Sequence, residues 1–152
     1  MESLLFFLQG IPESAGIVAV SLAVARVPLR WGRILLIGAL LALLIFMIRA
    51  LPFTFGLHTM VMLLLTVLFI TKTTYTSLTK SFVAVFASAL LLATLEILLH
   101  EFFFSLIGLE TQKIVSDYLI WKLIGLPQAF LMLIVSILIS WFYKPFESAW
   151  KK

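Results

Sequence analysis

His100 and Glu101 open a zinc-protease pattern, HExxH, in which two histidines four apart on one helix face hold a metal and the glutamate serves as base. Phe104 stands where the second histidine belongs, so that chemistry is excluded. An intramembrane aspartyl protease needs a pair of aspartates, and the chain has one, Asp117. No serine nucleophile elbow, phosphate-binding loop or GxGxxG fingerprint occurs. There is no cysteine, which removes disulfides and thiolate metal sites. The expectation is a protein that is not an enzyme and carries no cofactor.

Other ionisable residues fall inside or at the ends of long apolar runs. They are Glu13, Arg49, His58, Glu96, His100 and Glu101, with the amide Gln128 as a further polar member. Charge within an apolar span is costly and usually faces the bundle interior. Glu96 and His100 are four apart and share a helix face. At about 1.5 Å per residue, all of them map to one layer, toward one end of the bundle. The simplest arrangement pairs Arg49 with Glu96 or Glu13, with both histidines nearby. Two readings stand. The layer is a polar pocket that binds a ligand or responds to protonation through its histidines, or it is a set of structural ion pairs that fix helix register. His58, Glu96 and His100 also offer donors that suit zinc, but a hydrogen-bonded network is the favoured reading, with no metal.

The runs that carry these residues define the architecture. The chain of 152 residues is 63% hydrophobic and 12% charged, with a mean hydropathy of +1.20. A soluble domain is about half apolar and about a quarter charged. A span needs about 20 apolar residues, and five candidates appear. They cover 4 to about 27, about 29 or 34 to 48, about 52 to 70, 81 to about 106, and about 123 to 143. Pro52 suits a first helical turn. A Thr-rich loop is expected over 71–80, a polar segment over 108–117, and an interfacial lead-in over 118–126. Trp141, Tyr143 and Trp150 read as interface anchors. The expected fold is all-α, a single membrane-embedded domain of about five helices.

Lys and Arg in short loops set orientation. With the N-terminus outside, the inner side holds Arg26, Arg30, Arg33, Lys72, Lys80, Lys144, Lys151 and Lys152, and the outer side holds Arg49, Lys113 and Lys122. The net charge of +4 is therefore read as a topology signal, and nucleic acid is not an expected partner. Met1-Glu2-Ser3 lacks the basic start of a signal peptide, so the first run is expected to stay.

Small residues repeat every four positions at Ala15, Ala19 and Ala23, and again at Gly38 and Ala42. Such spacing allows close helix approach, either within this bundle or against a partner subunit or second copy. The segment Ile48-Arg49-Ala50-Leu51-Pro52-Phe53, then Phe55-Gly56-Leu57-His58-Thr59, and later Trp121-Lys122-Leu123-Ile124-Gly125-Leu126-Pro127-Gln128, resembles the N-terminal membrane domain of Gram-positive sensor histidine kinases. The relevant kinds are the peptide-pheromone-receptor type and those with a sporulation-phosphotransferase-like domain. The resemblance spans nearly the whole chain and singles out Arg49, Pro52, Gly56, His58, Pro127 and Gln128. It implies a bacterial plasma-membrane sensor in a two-component system. The sequence ends at Lys152 without a kinase part, so output is expected through a partner membrane or cytoplasmic protein, or a homodimer, unless the chain is a sensor portion. The alternative is a substrate-binding or transport subunit, because the alanine stripe is similar to the docking motif of energy-coupling vitamin transporters.

Overall fold

The computed structural model describes residues 2–52, 56–108 and 118–152. Five helices make up the described chain: α1 (Glu2–Val24), α2 (Trp31–Arg49), α3 (Leu57–Thr73), α4 (Leu78–Ile107) and α5 (Tyr118–Phe142). Four of them, α1, α2, α4 and α5, are long and apolar enough to cross a membrane. The fifth, α3, has 17 residues, about 26 Å at 1.5 Å per residue, near the lower limit for a span. The fold is an all-helical membrane bundle.

Helix α1 is the axis of the packing. It lies against α5, α2 and α4, while α3 packs on α4 and α2. Every residue from Ser14 to Ala23 is buried, so this helix has no solvent or lipid stripe over that run. Its small residues explain how neighbours come so close. A Cβ added at Gly38 would stand 2.9 Å from Ala15, and one at Gly16 would stand 2.8 Å from Met132. Ala15, Ala19, Ala23 and Ala42 are all buried inside this one chain. The α1 hydroxyl Ser21 Oγ meets Ser88 Oγ of α4 at 2.8 Å, so a polar pair is satisfied in the middle of the core. The outward faces of α2, α4 and α5 carry exposed Leu36, Leu90, Ile97 and Phe130, as lipid-facing surfaces do.

The ends differ from the sequence expectations in three places. Helix α3 begins at Leu57 behind Gly56, whose φ of 92° only glycine adopts freely; Pro52 lies outside any helix, exposed, and does not start one. The Thr-rich loop shrinks to 74–77, because Thr71 and Thr73 bond back to Val67 O and Phe69 O and stay in α3. Ser77 then caps α4 by accepting from the Lys80 N–H. The lead-in expected over 118–126 is simply the first part of α5. Apart from Gly108, which closes α4 at φ 61°, the polar segment expected over 108–117 lies outside the described residues, as does 53–55.

The C-terminal segment is the largest departure. It folds back across the basic end and ties the α1–α2 and α3–α4 connections together. Phe146 N–H donates to Arg26 O at 2.9 Å, Tyr75 N–H to Ala149 O at 2.8 Å and Lys151 N–H to Thr73 O at 2.9 Å. Trp150 is 5% exposed and donates through Nε1 to Pro28 O at 2.7 Å. It is therefore a core residue, whereas Trp141 and Tyr143 are exposed as anchors would be. The clasp also accounts for Arg26, a non-glycine residue at φ 60°. The α1 terminus closes with Val27 N–H on Leu22 O and Arg26 N–H on Ala23 O, a motif that normally puts glycine in the left-handed place. Arg26 occupies it with its guanidinium over Tyr143 and Phe146.

Candidate functional site

Midway along α1 sits an acid. Glu13 is half-buried one turn after Gln9, whose Nε2 donates to Glu13 Oε2 at 3.5 Å. The charges that act most on Glu13 are Lys122 of α5, then Glu96 of α4, then Arg49 of α2. Four helices thus direct charge toward one place. Gly125, one turn after Lys122 on α5, makes room for this group: any side chain there would collide with the Gln9 amide.

Phe6 links the two cations. Arg49 lies 5.4 Å and Lys122 5.3 Å from the centre of its ring. An aromatic face stabilises a cation by about 0.5–2 kcal/mol, more when desolvated. Two cations on one ring repel each other; Glu2 lines the cleft beside Arg49 and Phe6, and Glu13 feels both cations from two turns further along α1. Arg49 also ends α2, where a cation complements the helix dipole. The expected direct pairing of Arg49 with Glu96 or Glu13 is replaced by this ring contact. Beside it opens a cleft of about 280 Å³, lined by Glu2, Ser3, Phe6, Phe46, Arg49 and Ala50. Phe6, Phe7 and Phe46 pack as a triad, with centroids 5.1 to 5.5 Å apart, so the cleft joins an aromatic wall to a guanidinium.

The remaining sequence candidates divide. Gln128 is 6% exposed and donates to Leu92 O at 3.2 Å, tying α5 to α4. Glu96 is exposed on α4, and His100 Nδ1 lies 2.6 Å from Glu96 O, a contact with backbone rather than carboxylate. Glu101 is exposed beside it. His58 is half-buried in the first turn of α3. Among the described residues, no three His, Asp or Glu stand close enough to hold a metal. Glu13, Arg49 and Glu96 therefore share one electrostatic neighbourhood, and the histidines are not among the charges acting most on Glu13. Sequence reasoning passed over Lys122, Gln9 and Phe6. Lys122 counted there only as a loop charge; the three-residue step from Lys122 to Gly125 and the four-residue step from Gln9 to Glu13 were the available signals.

Comparison with family models, with curated proteins and with solved structures finds no match for this chain.

Proposed function

We propose that this protein is a membrane-embedded sensor or regulatory module of a signalling system, which takes up a small amphiphilic signal at the Arg49 cleft. One observation carries the reading: Arg49 and Lys122 share the ring of Phe6, and Arg49 and Phe6 line a cleft together with Phe46. A ligand with a carboxylate or phosphate and an apolar body meets both features, because guanidinium binds such anions with two parallel hydrogen bonds. It would compete with Glu13 for the cations. Glu13, Arg49 and Lys122 stand on α1, α2 and α5, so the competition bears on how those helices pack, and two packings of unequal ligand affinity are what a sensor requires. The resemblance to sensor-kinase membrane domains supports the same reading, and a two-component partner in a bacterial plasma membrane is its natural output.

The transport reading needs an alanine stripe free to dock. Here Ala15, Ala19 and Ala23 are buried within the chain, where they pack its own helices.

Photo-crosslinking from Trp31 and Tyr75, both exposed at the basic end, tests the proposal in native membranes. The expected product is a kinase or response regulator, captured less when Arg49 is replaced by Ala. Capture of a transport ATPase, or capture indifferent to Arg49→Ala, would overturn it.

A further inference from the structure

The basic end carries an arrangement that the sensing role does not use. Arg30 and Arg33 both lie over the indole of Trp150, at 5.9 Å and 5.0 Å from the ring centre. Arg33 Nη1 reaches Lys151 O at 3.5 Å, and Lys151 Nζ reaches Thr71 O at 3.3 Å while lying 5.8 Å from the Tyr75 ring centre. Two guanidiniums therefore share one buried tryptophan, and the ammonium of the next residue, Lys151, rests at Tyr75. Positive charge in an inner loop needs no such gathering, since its effect on topology depends on number and side only.

Carboxylates do not compensate this group. The loops, tail and adjoining helix turns of that end contain eight Lys and Arg but a single acid, Glu147. Glu147 is exposed and, among the described residues, pairs with none of them. Like charges held together by a fixed ring need an anion nearby. The guanidiniums are exposed, and a guanidinium stacked on a ring keeps its in-plane N–H donors for other acceptors. The cluster lies where the apolar part of α2 begins, the depth of a headgroup layer.

The geometry points to a binding site for the phosphate of an anionic phospholipid headgroup, built by Arg30, Arg33 and Lys151 around Trp150. The indole fixes the two arginines, the folded-back tail supplies the lysine, and the lipid's phosphate supplies the missing charge. Because Trp150 also closes the clasp onto Pro28 O, an occupied site holds the tail down.

The test uses the purified full chain in neutral detergent micelles, titrated with phosphatidylglycerol, phosphatidylcholine or inorganic phosphate. The thermal unfolding midpoint reports binding. Phosphatidylglycerol is expected to raise the midpoint saturably, and phosphatidylcholine to leave it unchanged. At about fivefold per basic residue near the surface, the double variant Arg30→Gln/Arg33→Gln is expected to need about twenty-five-fold more phosphatidylglycerol for half the effect. The variant Lys72→Gln/Lys80→Gln, which removes as much charge from the same end but away from the indole, is expected to titrate like the parent. Equal loss in both variants would mean a diffuse field and overturn the site. An equal response to inorganic phosphate would overturn the lipid as its source, and no response to phosphatidylglycerol would overturn the proposal entirely. Should the double glutamine variant fail to fold, Arg33→Lys keeps the charge but loses the planar fork. Its affinity falls severalfold if the site is built as described and is unchanged if it is not.

Discussion

Glu13 and Phe6 show how a few side chains can be held in an apolar bundle. Arg49 and Lys122 both rest on the Phe6 ring, and Glu13 is the carboxylate that offsets them from inside α1. Replacing Glu13 by Gln removes one carboxylate from the neighbourhood of these cations. A polar contact between membrane helices contributes on the order of 1 kcal/mol, so thermal unfolding in micelles should show a loss of that size, and ligand-dependent crosslinking should weaken with it. The glycines separate packing from site geometry. A methyl at Gly38 would press on the backbone and Cβ of Ala15, which cannot move aside. Gly38→Ala is therefore expected to cost about 1–3 kcal/mol, as overpacking does. A methyl at Gly125 meets the flexible amide of Gln9 instead. Gly125→Ala should leave stability nearly intact while displacing Gln9 from Glu13, so it should alter signal response more than the unfolding midpoint. Equal stability losses in the two variants would remove the distinction.

At the scale of elements, the tail clasp is what turns five helices into a closed unit at the basic end. Trp150 fills space beneath the α1–α2 turn and bridges to Thr74. Trp150→Ala is expected to cost about 3–5 kcal/mol, the usual range for a buried aromatic. The absence of native cysteine allows a direct readout. Thr74 is fully buried, so Thr74→Cys should resist maleimide with the clasp intact and react quickly once Trp150→Ala is added. The helices themselves were legible in the sequence, because runs of apolar residues near 20 long leave few alternatives in a bilayer. Their ends were less so. Thr71 and Thr73 look like loop residues until their hydroxyls find carbonyls one turn back, and Pro52 looks like a helix start until Gly56 takes the turn. The clasp was hidden because nine mostly polar and aromatic residues after a span read equally well as a free tail. Trp150 pairs with Pro28 across 122 positions, and no local pattern announces a contact of that separation. In the site, charges in apolar runs marked Glu13, Arg49 and Glu96, but Lys122 lay near a span end, where a cation already has a reason to be.

The whole molecule has two unlike ends. One has the cleft at Arg49 and the charges Arg49, Lys122 and Glu96 that act on Glu13; the other carries eight cations with one acid, and the folded tail lies across it. Both proposals depend on which end faces the cytoplasm. Short loops rich in Lys and Arg stay on the cytoplasmic side, and the clasp strengthens the argument. A tail hydrogen-bonded to both other loops of its end must lie on the same side as they do, so the basic residues of three segments act as one block. The block contains Arg26 and Arg30 before α2, Arg33 in its first turn, and Lys144, Lys151 and Lys152 after α5. Ser3 and Ser148 lie at opposite ends, and both are exposed. With single cysteines at these positions, an impermeant maleimide is expected to label Ser3→Cys in intact cells and Ser148→Cys only after lysis. The reverse pattern would place the Arg49 cleft on the cytoplasmic side. Its ligand would then be an intracellular compound, and the arginine cluster at Trp150 would face the outer leaflet. Replacing Arg26, Arg30 and Arg33 together by Gln narrows the asymmetry, and the expected outcome is a mixed population in which some Ser148→Cys chains become accessible from outside. If those chains still label only after lysis, the remaining lysines suffice to hold the orientation, and the arginines are retained for what they bind.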